Sequence, residues 1–102
     1  MNIINMTPHE VNIEGFEPFP SQGSIRLEQS DVQAGDLNAI PVVIRSYSAG
    51  ALPPAESDTA YIVSQMVAAA FPNRRDFYYP GDLIRNGAGQ IVGCKNLCQV
   101  PE

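Results

Sequence analysis

Apolar and polar positions along the chain predict short strands separated by turns. NIINM (2–6) is an apolar run, whereas EVNIE (10–14) and SIRLEQ (24–29) alternate apolar with polar residues, as a half-buried strand does. IPVVIRSY (40–47) is β-branched and apolar enough for a central strand, and TAYIVS (59–64) is a continuous apolar run, typical of a buried strand. These five segments predict five strands.

The segments between these strands are rich in turn-forming residues. TPH (7–9) predicts a corner or bulge, because its proline cannot donate a hydrogen bond to a strand ladder. GFEPFPSQG (15–23) and SAGALPPAESD (48–58) predict loops, and SDVQAGDLN (30–38) predicts a turn-rich connector. Pro41 is expected at the start of its strand or on a sheet edge.

A change of residue type after Ser64 predicts a helix. QMVAAAF (65–71) contains good helix formers and neither glycine nor proline before Pro72. Ser64 is a favoured N-cap residue, and Pro72 gives a stop. We expect a helix of about two to three turns.

The C-terminal third predicts a turn and a hairpin. In DFYYPGD (76–82), Gly81 is expected to supply the positive φ of a type II turn. DLIRNGAGQIVGC (82–94) has two apolar runs around a turn at 86–89 and predicts a hairpin. About seven short strands and one helix predict a single α+β domain over residues 1–102. It is mainly β, with a short helix on a small curled sheet or barrel-like core.

Composition and charge narrow the classes of partner. The chain is 44% hydrophobic and 17% charged, as in a folded globule, and no apolar run reaches the length of about 18 residues that a membrane helix needs. The start MNIINMTPHE lacks the features of a secretory signal, so a cytosolic protein is expected. The net charge of −5 argues against duplex DNA or RNA as a partner. Residues 1–58 carry eight acidic and two basic residues, whereas residues 59–102 carry three and four, so an anion is better placed in the C-terminal half.

The chain has few residues suited to catalysis or to metal binding. Cys94 and Cys98 are the only cysteines and His9 is the only histidine, which leaves too few ligands for a typical zinc site. No metal and no cofactor are expected. A small hydrolase would have to use His9 with Ser64 or Cys94 as nucleophile, and no G-x-S-x-G elbow is present. We therefore favour binding over catalysis.

Two features after the fifth strand could hold an anion, and both have a structural alternative. The helix start at Ser64 has no acidic residue in its first turn and could accept phosphate or carboxylate, or Ser64 could simply cap the helix. Arg74 and Arg75 could form a guanidinium fork on a ligand, or could stay solvated near the helix C-terminus. The length of the helix separates the two features, so they share a ligand only if the loop folds back or if two chains contribute.

Four further residues are candidates for ligand binding. Asp76 could pair with an arginine or accept a hydrogen bond from a base or ribose, and Tyr78 could stack on a nucleobase or belong to the core. Thr7 and His9 lie in the corner after the first strand, where His9 could donate to a ligand or bond to the backbone. Together with Ser64, Arg74 and Arg75, these residues predict a site for a small anionic, nucleotide-like ligand.

The chain resembles a group of small uncharacterised phage and bacterial proteins. The resemblance rests on TPH (7–9), IPVV (40–43), YIVS (61–64), PGD (80–82) and the GxIxGC segment (89–94). It implies a short, single-domain, phage-encoded protein of the host cytoplasm that binds a host protein or sequesters a host signalling nucleotide. It implies no catalytic residues.

These expectations leave three hypotheses open. The first is a homo-oligomer that sequesters a small nucleotide-like ligand, and the second is a protein–protein interaction module that inhibits a host factor through the acidic N-terminal half. The third is the hydrolase built on His9.

Overall fold

The computed structural model describes residues 1–101. In that part of the chain six strands and one helix follow one another, and half of the residues are in strands. They are β1 Asn2–Asn5, β2 Leu27–Leu37, β3 Ile40–Ala49, β4 Thr59–Ile62, α1 Gln65–Ala70, β5 Phe77–Arg85 and β6 Ile91–Cys98. The predicted fold class, a small and mainly β α+β fold with one short helix, is confirmed.

Four of the strands form a mixed sheet in the order β1-β4-β5-β6. β1, β4 and β5 are parallel neighbours, and β6 is antiparallel to β5. Helix α1 connects β4 to β5, because parallel neighbours need a crossover rather than a tight turn. The sheet is curled, and β5 and β6 continue beyond it as a hairpin.

Each face of this sheet carries an apolar cluster. Tyr61 and Phe77, with ring centroids 6.1 Å apart, pack with the buried helix residues Val67 and Ala68 on one face. Because successive strand residues point to opposite faces, Ile62 packs on the other face. There it meets three residues from outside its own strand, namely Val11, Ile13 and Cys94. We call the first the helix face of the sheet and the second the groove face.

The second sheet is a two-stranded hairpin, β2–β3, which we call the arm (residues 27–49). Its root touches the body, since Leu27 packs on the helix-face cluster, and Tyr47 lines a small cavity together with Met66 and Ala69 of the helix. Farther out the arm is exposed on both strands. The radius of gyration of 16.5 Å exceeds the value of about 13 Å expected for a compact domain of this length.

The arm corrects two predictions. Residues 40–47 were expected to form a central strand, but within residues 1–101 β3 pairs only with β2 and is exposed over residues 40–48. Residues 30–38 were expected to be a connector, but β2 runs through them to Leu37, and the turn is the pair Asn38 and Ala39. Both turn residues have positive φ (49° and 67°), as a two-residue type I′ hairpin requires. The turn-forming residues of this segment lie instead in a bulge between Gln33 and Asp36, where Gly35 has a φ of 96°.

Two further predicted elements differ from the structure. Residues 10–14 form isolated bridges at Val11 and Ile13 rather than a strand. The predicted Pro-Gly turn is wrong: β5 runs through it, and the positive φ (45°) belongs to Asp82. Gly81 is needed for space instead, because a Cβ there would collide with the side chains of Asn96 and Cys98 on β6.

The helix is shorter than expected. Its six residues, Gln65–Ala70, make about 1.7 turns rather than two to three. Phe71 has left the helical region (φ −128°, ψ 66°), because a residue that precedes a proline is sterically excluded from it. The predictions of β1, β4, the β5–β6 hairpin and the corner at residues 7–9 agree with the structure.

Candidate functional site

Ser64 serves as the N-cap that the sequence predicts. Its Oγ accepts a hydrogen bond from the backbone N–H of Val67 at 3.2 Å, and its backbone is extended. The first turn contains no acidic residue. The capping role is therefore present, and the amide it satisfies is not available to an anion.

Arg74 is engaged within its own loop. Its Nε and Nη2 each donate to an Asp76 carboxylate oxygen at 2.9 Å, and its guanidinium lies 4.4 Å from the centre of the Phe77 ring. Both side chains of the pair are about four-fifths buried, with 20% and 17% exposed. The hydrogen bonds from Arg74 hold the pKa of Asp76 below its usual value and raise that of the guanidinium. This pair stabilises the turn into β5.

Arg75 ties the same loop to the C-terminal segment. Its Nη1 donates to the carbonyl oxygens of Val100 at 2.9 Å and Pro72 at 3.3 Å, while Gln99 Nε2 donates to the Arg75 carbonyl at 2.6 Å. Neither arginine shares a hydrogen bond with Ser64 in residues 1–101.

Thr7 and His9 belong to a corner organised by Asn5. The Asn5 side chain is fully buried, and its Nδ2 donates to the carbonyl oxygens of His9 (2.8 Å) and Phe19 (2.9 Å). Its Oδ1 accepts from the hydroxyl of Thr7 at 2.6 Å. His9 contributes its backbone to this network, and the residue itself is exposed. Sequence reasoning missed Asn5, since a single asparagine at the end of an apolar strand carries no distinctive pattern.

Tyr78 lies on the other side of the sheet from the helix. It pairs with Ile62 in the β4–β5 register and lines a cavity of about 240 Å³ together with Met1, Ile3 and Leu97. The strand alternation that turns Phe77 toward α1 turns Tyr78 toward the groove face. The structure thus brings Arg74 and Asp76 together, and Thr7 and His9 together, but places Tyr78 and the Ser64 helix on opposite faces. The hypothesis of an anionic ligand at Ser64 stays a prediction, which a rise in melting temperature with cyclic or linear nucleotides would support.

The residues of the hydrolase hypothesis lie in separate environments. Cys94 is buried among Val11, Ile13 and Ile62, and burial raises the pKa of its thiol. No hydrogen bond joins His9 to Ser64 or Cys94 in the described part of the chain. Across residues 1–101, no group of three or more His, Cys, Asp or Glu side chains is placed to hold a metal ion.

The arm presents an apolar face that the sequence did not reveal. In the β2–β3 register Val32 lies opposite Ile44, and Leu37 opposite Ile40. Alternation along β3 puts Val42 on the same face. The exposed fractions are 61% for Val32, 66% for Leu37, 62% for Ile40 and 63% for Ile44. We call these five aliphatic side chains the arm's apolar face.

The opposite face of the arm mixes polar and apolar residues, with Val43 (42% exposed) opposite Gln33, and continues into the body. It carries Gln29 and Gln33 and an ion pair in which Arg45 donates to both Asp31 oxygens at 3.0 and 3.1 Å. Leu27, which packs on the helix-face cluster, and Tyr47, which faces helix α1 across the small cavity, lie on this face too. At its root, therefore, the arm turns its apolar face away from the body of its own chain.

A second exposed apolar surface lies on the groove face of the main sheet. Leu83, Ile91 and Val92 of the β5–β6 hairpin are 48%, 55% and 48% exposed. With Val11 and Pro80 they line a depression of about 420 Å³, which we call the groove. Its remaining lining residues are Glu10, Asn12, Gly93 and Cys94.

Comparisons of the chain with protein-family models, with curated proteins and with solved structures give no significant match. Among residues 1–101 the helix found is too short to cross a membrane.

Proposed function

We propose that this protein is a non-enzymatic protein-binding module whose binding element is the arm. The observation that carries the proposal is the arm's apolar face, five aliphatic side chains aligned on one side of a hairpin that projects from the body. A two-stranded hairpin is marginal in water unless its apolar face is covered. A protein surface is the natural cover for such a face.

The hydrogen-bond partners of the polar candidate residues favour binding by the arm over binding at Ser64. Arg74 and Arg75 have hydrogen-bond partners within their own chain, and Ser64 caps a six-residue helix. The arm belongs to the acidic half of the chain, which the sequence associates with a protein–protein interaction module. The resemblance to phage proteins makes a bacterial protein a suitable partner for the first test.

Substitution of the apolar face tests this function directly. Tagged wild-type protein and the double variant Val32→Asn/Ile44→Asn are used to capture proteins from a bacterial extract, and each captured protein is then purified and its affinity measured. We expect the double variant to bind its partner at least about tenfold more weakly, since buried apolar residues dominate interface energies.

The matched control changes the same strands on the other face. Gln29→Asn/Gln33→Asn alters exposed polar residues of the arm and is expected to keep wild-type affinity for the partner. Equal affinities of the wild type and the apolar-face variant for every purified partner would overturn the proposal.

A further inference from the structure

Both long edges of the arm lack a neighbouring strand, because the arm is a two-stranded sheet. Within residues 1–101, no backbone group of Leu27–Ala49 bonds to backbone outside the hairpin. β2 is exposed from Glu28 to Leu37. An exposed edge of this kind presents unpaired N–H and C=O groups on which another strand can form. A third strand would also stabilise the hairpin, which is marginal by itself.

The register of the hairpin determines which backbone groups face the outer edge of β2. In a two-residue hairpin the pair that flanks the loop exchanges both ladder hydrogen bonds, and bonded and non-bonded pairs then alternate. Leu37 and Ile40 are that pair. Counting along β3 from Ile40, residues 43, 45 and 47 fall in non-bonded pairs, and their partners on β2 are Gln33, Asp31 and Gln29. The N–H and C=O groups of these three β2 residues therefore point outward.

The edge of β2 is a better template for a strand than the edge of β3. Pro41 lies at an outward position of β3 and has no N–H to donate. The one charged residue of β3, Arg45, already donates to Asp31. β2 has no basic residue, and its Glu28 carboxylate has no ionic partner in the described part of the chain.

The side chains of β2 indicate the chemistry of a strand that fits beside it. A bulge interrupts β2 after Gln33, so the regular part of the edge is residues 27–33, about 23 Å long. Alternation puts Glu28 on the same side of the arm as Val32. Cross-strand neighbours are stabilised by opposite charges and by pairs of aliphatic side chains. The complementary strand therefore carries a cationic residue beside Glu28 and an aliphatic residue beside Val32.

We propose that the arm binds its partner by strand addition, in which an extended segment of the partner protein pairs antiparallel with residues 27–33 of β2. The segment carries an aliphatic residue opposite Val32 and, four residues later, a lysine or arginine opposite Glu28. This inference rests on the proposed function and names how the partner is held. In such complexes main-chain hydrogen bonds supply affinity, and alternate side chains supply specificity.

Nuclear magnetic resonance titration with a synthetic peptide tests this mode of binding. The probe is the acetylated and amidated peptide Thr-Val-Thr-Val-Thr-Lys-Thr, whose second and sixth residues fall opposite Val32 and Glu28 in the proposed register. We expect the amide resonances of Gln29, Asp31 and Gln33 to shift to saturation and those of β3 to shift less. A peptide with glutamate in place of lysine is expected to bind about threefold more weakly, or weaker still.

Two N-methylated peptides separate strand addition from contact through side chains alone. In the antiparallel register the threonines opposite Gln29 and Asp31 turn their N–H groups to β2, whereas the two valines turn theirs away. N-methylation of these threonines is expected to abolish binding. N-methylation of the valines is expected to leave the affinity largely unchanged.

Charge reversal on the arm tests the register. Glu28→Lys is expected to reverse the preference, so that the glutamate peptide binds more tightly than the lysine peptide by about threefold or more. Glu14→Lys is the control, because it changes the net charge equally on the body, where the Glu14 amide donates to the Cys94 carbonyl. It is expected to keep the wild-type preference. Both positions are exposed, and the spectra also report whether each variant is folded.

Several outcomes overturn strand addition to β2. They are unshifted β2 amides at millimolar peptide, shifts confined to β3, and equal affinities of the two N-methylated peptides. Broadening of the β2 resonances that grows with protein concentration in the absence of peptide would show copies of the chain pairing with one another, and would overturn the assignment to a partner segment.

Failure of the proposed function gives a different result. If Val32→Asn/Ile44→Asn loses its purified partner while wild-type β2 ignores the peptides, strand addition is refuted and the protein-binding function stands. If that variant keeps every partner affinity, the proposed function is refuted, and with it the partner assigned to this edge.

Discussion

At the scale of single residues, polar side chains that invite a functional interpretation turn out to hold the chain together. Arg74 and Asp76 form a bidentate pair over Phe77, and the fully buried Asn5 joins β1 to the corner at residues 7–9. Each satisfies groups that burial would otherwise leave unpaired, at a cost of about 1–3 kcal/mol per group. The sequence shows that such residues are adjacent, but not that they bond to one another.

The Asp76 carboxylate gives the stability of the fold a pH dependence. Its pKa is lowered in the folded protein by the hydrogen bonds from Arg74, so the folded state binds this proton less tightly than the unfolded state does. The stabilisation is fully present above the unfolded pKa of about 4 and is lost as the pH falls through the lower folded value.

Asp76→Asn should therefore lower the free energy of unfolding by about 1–3 kcal/mol at pH 7. The difference from the wild type should shrink as the pH falls from about 4, the unfolded pKa, through the lower folded pKa of the wild-type carboxyl group. Urea unfolding at a series of pH values measures it, with Glu28→Gln, an exposed acid, as the control. A difference that stays constant down to pH 2 would contradict the role of the ion pair.

At the scale of elements, Ser64 stabilises the start of helix α1, and this role can be measured. Ser64 Oγ bonds the amide of Val67, and Val67 and Ala68 are the helix residues buried against the sheet. The cap thus orients the short helix on the apolar cluster of Tyr61 and Phe77. In a helix of 1.7 turns most stability comes from this packing rather than from intrinsic helix propensity.

Ser64→Ala is expected to lower the free energy of unfolding by about 1 kcal/mol, the usual effect of losing an N-cap. Thermal or urea unfolding measures the change. Gln65→Ala, at the exposed first helical position, is the control and should change stability by less than about 0.5 kcal/mol. Equal stability of Ser64→Ala and the wild type would show that the cap does not stabilise the fold. The hypothesis of an anionic ligand at the helix start would then gain support.

At the scale of the whole molecule, an extended arm projects from the body and leaves its apolar face uncovered within the chain. The extents of 51 × 39 × 24 Å and the radius of gyration of 16.5 Å describe a body with a projecting element. Apolar side chains are commonly scattered over protein surfaces, whereas five aligned on one face of a hairpin are the basis of the proposed protein-binding function.

Hydrogen exchange should report this association at the arm. Backbone amides of β2 and β3 are expected to exchange more slowly in the presence of a purified partner protein than in its absence, because the covered hairpin opens less often. Amides of the buried strand β4 are the internal control and should change little when the partner is added. Arm amides that exchange equally fast with and without the partner would show that the hairpin stays uncovered.

The sequence by itself determined the elements whose causes are local. Ser64 caps a helix because its hydroxyl reaches an amide three residues away, and Pro72 ends that helix through the residue before it. The continuous apolar run of β4 and the Asn-Gly turn between β5 and β6 likewise predict a buried strand and a hairpin without reference to the rest of the chain. The mainly β fold class followed from these local patterns.

Only the tertiary structure decided which residues meet and which face is left uncovered. The bulge near Gly35 makes residues 30–38 resemble a connector, and pairing with β3 extends them into a strand. That pairing sets Val32 beside Ile44 and creates the apolar face, which depends on register between residues twelve positions apart. Tyr78 and the Ser64 helix likewise lie on opposite sides of the sheet. Residues of neighbouring elements can share a site only when their side chains point to the same side of the sheet, and this depends on how the strands pair.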